Sequence, residues 1–232
     1  MGELRIISET HEPFADRVEA GQMLARQLES LADSHPLVLA IPRGGVVVGY
    51  ELAEGLRANL DIILTRKLPA PGNPELAIGA VAENGNVVLN HELLSYIGVG
   101  PQYIEANRKA CLDELARRGN VYRQGRPPVS IAQRMAIITD DGVATGSTLE
   151  AAIRAVRQEN PSRLIVALPV GPQDTLQRLA GLCDELLCLR MPAMFHAVGQ
   201  FYRNFDQTSD EEVLELLTLH LSGKPSLAAG KA

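Results

Sequence analysis

The chain holds 232 residues, 46% of them hydrophobic and 22% charged, enough to bury a sizeable core and too mixed for a disordered or fibrous protein. With 22 basic against 28 acidic side chains the formal charge is −6, which argues against a nucleic-acid scaffold held by bulk charge. A small anionic ligand is not excluded, because local loops rather than net charge hold such ligands.

The three cysteines, Cys111, Cys183 and Cys188, are odd in number and too few for a disulfide framework. They read as small buried apolar residues of a protein from a reducing cytoplasm. The opening MGELRIISETHEPF lacks the basic start and apolar core of a signal peptide. Apolar runs near Val38 and Ile165 are too short to span a bilayer, so no membrane partner is expected.

In chain order, Phe14, Val18, Leu24, Leu28 and Leu31 recur at roughly helical spacing and predict an amphipathic helix over 14–32. Residues 37–41 form a short apolar run, hence a buried strand, which stops at Pro42-Arg43-Gly44-Gly45 before a helix over 46–56. A second apolar strand is expected over 61–65, followed by Arg66-Lys67 and a loop containing Pro69, Pro71 and Pro74. Residues 77–82 and 87–90 read as short strands around the turn Asn84-Gly85. Helices over 91–97 and 101–118 lead into an irregular Arg/Gly/Pro stretch, 122–128. The alternation then resumes: strand 135–139, turn 140–147, helix 148–158, strand 163–169, helix 173–182, strand 185–189. An aromatic-rich loop over 192–205 precedes Ser209 and Glu212, spaced as a capping box for a last helix to Leu221. The Gly/Ser/Ala/Lys tail over 222–232 is expected to be flexible.

Strands alternating with helices imply an α/β fold, a parallel twisted sheet flanked by helices. One domain over 1–221 is expected, with a helical insertion at 84–133 and a small C-terminal hood with the last helix at 190–221. In such sheets ligands sit beyond the carboxyl ends of the strands, so the strand-to-helix turns matter most.

The stretch from Ala136 to Thr148, AIITDDGVATGST, joins a buried strand, two adjacent carboxylates and a small hydroxyl-bearing loop that opens a helix. Gly146 lets the backbone approach a phosphate, successive N–H groups converge on it, and Thr145, Ser147 and Thr148 add hydroxyl donors. Two carboxylates beside a phosphate repel it unless something lies between. A ribose diol fits, donating two O–H groups, and a divalent cation would compensate further.

This segment resembles the PRPP-binding signature of the type I phosphoribosyltransferases. The resemblance implies that Asp140 and Asp141 bind the ribose hydroxyls of phosphoribosyl pyrophosphate. It gives Ala144, Thr145, Gly146, Ser147 and Thr148 the 5′-phosphate. Gly142 departs from the branched apolar residue usual there. Arg43, Gly44 and Gly45 match the loop that binds pyrophosphate, and Arg66 and Lys67 resemble the basic residues that also reach it. Phe14-x-Asp16-Arg17-x-x-Ala20-Gly21, Pro74-Glu75-x-Ala77-Ile78-Gly79-Ala80 and Phe201-Tyr202-x-x-Phe205 are similar to a bacterial group of phosphoribosyltransferases whose acceptor is unsettled.

The resemblance implies transfer of phosphoribosyl from PRPP to a nitrogen heterocycle with release of pyrophosphate. Catalysis would involve Asp140, Asp141, Arg43 and Lys67, with Mg²⁺ held by Asp140 and Asp141 through water. The insertion at 84–133 stands where the family carries its flexible loop. Arg123 and Arg126, in irregular chain, are the lid candidates, while Arg108, Lys109, Arg117 and Arg118 read as a solvated helix face. The insertion suits dimerisation equally well. Ala144 occupies the place of the acid that serves 6-oxopurine acceptors, which removes the obvious proton acceptor. Phe195, His196, Phe201 and Tyr202 offer an aromatic surface for a flat, nucleobase-like acceptor, although Phe201 and Phe205 read first as packing for the last helix. A PRPP-sensing regulator without catalysis, or a hydrolase of a phosphorylated ribose, are the rival readings.

Overall fold

A computed structural model describes residues 2–222; most of the tail expected to be flexible therefore lies outside the described residues. The chain opens with β1 (Glu3–Ser8), α1 (Arg17–Gln27), β2 (Leu37–Ala40), α2 (Gly44–Leu56) and β3 (Asn59–Ile62). A hairpin and its third strand follow as β4 (Thr65–Ala70), β5 (Asn73–Ala82) and β6 (Val87–Leu89), then α3 (His91–Ile97) and α4 (Pro101–Arg123). The alternation closes with β7 (Met135–Thr139), α5 (Ser147–Gln158), β8 (Arg163–Val170), α6 (Gln173–Ala180), β9 (Glu185–Arg190) and α7 (Asp210–Ser222).

Six strands form one sheet in the order β1-β9-β8-β7-β2-β3, parallel throughout. Both faces are covered, as the uninterrupted apolar runs demand. Along β2, Val38 and Ala40 enter one apolar cluster with α1, α2 and α7, while Leu37 and Leu39 enter a second with α5 and α6. The strand order reverses at β2: the chain leaves it for β3 on one side and returns as β7 on the other. The loops after β2 and β7 therefore diverge and open a crevice at the carboxyl end of the sheet. Among the described residues no helix is long and apolar enough to cross a membrane.

β1 escaped the sequence reading because it is a half-buried edge strand with charges interleaved, pairing only β9. The strand expected over 61–65 is split. β3 ends at Ile62, and the chain leaves the main sheet for the antiparallel β4-β5-β6 sheet. The proline-bearing loop expected after Lys67 is the arm of this hairpin. Pro69 sits where the β4–β5 register shifts, a place where a missing N–H costs no ladder bond. The helix expected over 14–32 stops at Gln27 and continues as a 3-10 turn, Glu29–Ser34. The capping box of the last helix is present: Glu212 N–H donates to Ser209 Oγ at 3.1 Å and Ser209 N–H to Glu212 Oε2 at 2.7 Å.

α4 runs past Arg118 to Arg123, and this removes Arg123 from the candidates for a lid. The residue is 7% exposed, and its guanidinium donates to Asp61 at 3.0 Å, to Glu83 at 2.7 and 3.0 Å, and to the Ile62 carbonyl at 2.8 Å. Asp61 also accepts from Val129 N–H at 2.8 Å, so one arginine ties the ends of β3, β5 and α4 to the segment leading into β7. Burial is what makes long-range ionic ties of this kind consequential.

Candidate active site

Asp140 and Asp141 stand at the carboxyl end of β7, inside the crevice. Asp140 Oδ1 accepts from Asp141 N–H at 2.8 Å, and Asp140 has no ion pair among the described residues. Burial, then the neighbouring Asp141 charge, pushes the Asp140 carboxyl well above the usual range. Burial also raises Asp141, against the pull of Arg17 beside it. Asp140 is thus short of positive charge, the condition a bound diol or cation would relieve.

Arg17 is the residue that sequence reasoning named only as part of a pattern. Its Nε lies 2.8 Å from Asp141 Oδ2, Nη1 donates to the Asp206 carbonyl at 2.8 Å, and its guanidinium lies 4.0 Å from the centre of the Phe205 ring. Phe205 in turn stacks on Tyr202, whose hydroxyl donates to the Asp141 carbonyl at 2.5 Å. The N-terminal segment and the hood meet here: Phe14 N–H donates to the Phe201 carbonyl at 2.8 Å, and Arg203 N–H to the Phe14 carbonyl at 2.8 Å. Phe201 is buried against Phe195 and His11, so the aromatics join hood to N-terminus rather than last helix to sheet. The signal available in the sequence was the Asp16 helix cap, which fixes the turn that aims Arg17.

The two glycine-bearing loops converge on the acids. A methyl at Gly44 would stand 2.0 Å from Asp141 Oδ2 and 2.7 Å from Arg17 Nε, and one at Gly45 2.9 Å from Asp140 Oδ1. Gly44→Ala is therefore expected to displace the Arg17–Asp141 pair and lower the melting point, by about 1–3 kcal/mol of stability as overpacking does, read in a thermal melt. The Pro42–Arg43 peptide is cis. Arg43 precedes α2, and its side chain, 3.8 Å from Asp210, lines a cavity of about 450 Å³ with Arg117, Arg118 and Tyr122.

The loop after the acids is held from outside. Val143 N–H donates to the Val170 carbonyl at 2.9 Å, Thr175 Oγ1 to the Ala144 carbonyl at 2.8 Å, and Arg178 Nη2 to the Thr145 carbonyl at 2.6 Å. With carbonyls engaged outward, the N–H groups of residues 144–148 have no acceptor among the described residues. Gly142 is buried, and a methyl there would stand 2.6 Å from Val198 of the hood. The branched residue usual at that place is thus replaced by a hood side chain filling the same space.

Lys67 shares a cavity of about 560 Å³ with Thr145, Ser147 and Arg178, roofed by Leu76, Val88 and Leu93 of the hairpin side. Arg66, its neighbour, points to the opposite face of β4 and lies 3.7 Å from Glu114 of α4. The structure brings together Asp140, Asp141, Gly44 and Gly45 in one place and Lys67, Thr145 and Ser147 in another. Phe195 is half-buried in the hood, stacked on Phe201 at 5.4 Å, while His196 is exposed. Among the described residues no cluster of three or more histidine, cysteine or carboxylate side chains could cage a metal. Cys111, Cys183 and Cys188 are buried thiols without disulfides, and burial pushes Cys183 and Cys188 up to about 12.

Comparison with known proteins places this geometry in a family. The model of the "Phosphoribosyl transferase domain" matches residues 16–206. A Mycobacterium tuberculosis H37Rv protein named "Putative phosphoribosyl transferase Rv0571c" is 44% identical over 204 residues, 88% of this chain and 46% of that protein. Its counterpart in strain CDC 1551, "Putative phosphoribosyl transferase MT0597", matches equally. The chain thus spans about half the length of these curated relatives. The crystal structure of TT1426 from Thermus thermophilus superposes with a TM-score of 0.76 at 42% identity, covering 88% of this chain and 97% of that one. On the family match and on these relatives, the chain belongs to the phosphoribosyl transferase domain family.

Proposed function

We propose that the chain transfers a phosphoribosyl group from PRPP to a nitrogen acceptor, releasing pyrophosphate. The observation that carries this reading is the convergence of the loops after β2 and β7 on a half-buried acid pair in which Asp140 has no cation among the described residues. Asp140 and Asp141 take the ribose diol as hydrogen-bond acceptors. The unengaged N–H groups of 144–148, with the Thr145 and Ser147 hydroxyls, take the 5′-phosphate. Lys67 faces those hydroxyls across their cavity, so it is assigned to the 5′-phosphate rather than to pyrophosphate. Gly44 and Gly45 let the pyrophosphate approach the backbone, with Arg43 at its edge. Arg66, on the far face of β4, is left out of the site.

As the C1–O bond to pyrophosphate breaks, the carboxylates stabilise the developing positive charge on the ribose, and the anion loops hold the leaving group. Two adjacent carboxylates without a protein cage fit Mg²⁺, which keeps water and substrate oxygens as its main ligands. When bound, Mg²⁺ would neutralise charge on the departing pyrophosphate. The hairpin and α3 roof the Lys67 side and are assigned water exclusion, together with the hood over the acceptor. The free thiols fit a reducing, cytoplasmic setting.

The test is pyrophosphate release from PRPP with a panel of bases. Release with a particular base supports transfer, base-independent release indicates hydrolysis, and binding without release indicates a sensor. Ala144 gives the sensor its one specific support, since no acid stands there to take an acceptor proton. Thr145→Ala with Ser147→Ala is expected to weaken both PRPP and ribose 5-phosphate by about a hundredfold or more, each hydrogen bond to a charged group being worth about 1.5–3 kcal/mol. Calorimetry checks this. Loss of PRPP affinity alone would show that the two anion loops are assigned the wrong way round.

A further inference from the structure

The cavity of about 450 Å³ beside Arg43 lies between the loop after β2 and the long helix α4, with Asp210 of α7 at one wall. Neither the acid pair, nor Lys67, nor the turn 144–148 lines it. It is therefore a separate space, open to solvent and large enough for a small ligand, that shares only its Pro42–Arg43 wall with the crevice.

The carboxylates of its wall are already engaged. Glu114 accepts from Arg117 at 2.9 and 2.8 Å and lies 3.7 Å from Arg66. Asp210 accepts from the hydroxyl of the buried Tyr122. Two of the guanidiniums are not so engaged. Arg118 donates to the Tyr122 hydroxyl at 2.9 Å and lies over that ring at 5.4 Å, with no carboxylate in ion-pair distance among the described residues. Arg43 reaches Asp210 only at 3.8 Å, beyond hydrogen-bond length. A guanidinium carries five donors in a fork that matches phosphate oxygens, so Arg43 and Arg118 bring unspent donors from two elements to one cavity. Two such forks suit an anion charged on more than one phosphate. With Tyr122 buried, Pro42 and the rim residue Val121 are the rest of the wall, and neither offers a face on which a base could stack. What this wall recognises is a phosphate end rather than a ring.

Arg43 also connects the cavity to the crevice. Gly44 and Gly45 follow it directly and lie against Asp141 and Asp140. One loop thus turns its backbone to the acids and its Arg43 side chain to the cavity.

We propose that this cavity binds a diphosphate group, at a site distinct from the crevice, and that its occupancy opposes the binding of PRPP. The bound anion engages the Arg43 side chain and sets negative charge behind the loop that, under the transfer reading, holds the pyrophosphate of PRPP. The coupling rests on that reading; the site does not. Coupling of this kind is reciprocal, so PRPP weakens the diphosphate by the same factor. Free pyrophosphate and the diphosphate end of a nucleotide share the chemistry.

Calorimetry in excess Mg²⁺ tests this, with inorganic pyrophosphate and ADP as probes and the crevice filled by saturating PRPP. At least pyrophosphate is expected to bind the PRPP-saturated chain. Val121→Glu, which adds a carboxylate at the exposed rim, and Arg118→Gln should each weaken that binding about tenfold or more and leave the affinity for PRPP alone unchanged. At a fixed pyrophosphate concentration, PRPP affinity should fall about fivefold further in the wild type than in Val121→Glu. Binding of both probes supports a nucleotide as the source of the diphosphate; binding of pyrophosphate alone supports the free anion. If neither probe binds the PRPP-saturated chain, or if both variants bind as the wild type does, the site is overturned. An equal fall in PRPP affinity overturns the coupling. If Arg118→Gln fails to fold, Val121→Glu decides, since it disturbs no buried group. If PRPP itself does not bind, the transfer reading falls first, and pyrophosphate titrated into the wild type and Val121→Glu still decides the site.

Discussion

Asparagine at both Asp140 and Asp141 is expected to weaken PRPP binding by about a hundredfold or more. Under the proposed transfer each carboxylate accepts a charge-assisted hydrogen bond from the diol, and removing such a bond costs about 1.5–3 kcal/mol. Two such losses amount to about two to four decades in the binding constant. The measurement is calorimetric titration with PRPP in the presence of Mg²⁺. Unchanged affinity would refute the diol assignment.

The Asp140 substitution has a second effect of opposite sign. Burial raises the Asp140 carboxyl above its unfolded value, so the folded chain holds its proton more tightly than the unfolded one. The stability this contributes is complete below the ordinary carboxylate range near pH 4 and is lost as pH rises through the raised value. Asp140→Asn keeps the Oδ1 acceptor for Asp141 N–H and removes the buried charge. The unliganded variant should therefore melt above the wild type at pH 8, with the gap closing toward pH 4. Asp141→Asn alone is different, since it leaves Arg17 without its carboxylate.

Arg123→Ala is expected to cost about 3–5 kcal/mol, the range for breaking a buried ion pair by removing one partner. The loss is large because two carboxylates, Asp61 and Glu83, are left facing a cavity, together with the Ile62 carbonyl. For a chain of this length each kcal/mol moves the melting point by about 2–4 °C. Arg123→Met fills the volume without the charge and separates packing from pairing. A fall below about 1 kcal/mol in denaturant titration would show that water, not Arg123, satisfies those carboxylates.

The sheet was legible because its strands are buried on both faces. Residues 37–41, 135–139 and 163–169 carry runs that no solvent-facing element would tolerate, and the structure places β2, β7 and β8 there. The acid pair and its loop were legible as a spacing, since the turn that ends β7 is built from adjacent residues. What escaped was everything set by distant partners. Nothing local in β1 announces an edge strand, because β9 supplies its pairing. Arg123 looks like the end of a charged helix until Asp61 and Glu83 arrive from other elements. Arg17 carries no sign of its partner, which lies 124 positions away.

That last contact bears on how the protein can be cut. Arg17 belongs to the first helix and Tyr202 to the last loop, yet both bond to Asp141 in the middle of the chain. A fragment that keeps the whole turn after β7 but drops either end forfeits the counterion or the tyrosine that steadies its acids. On a ribosome, the acid pair therefore reaches its final setting only once the hood has emerged, however early the central strands have paired.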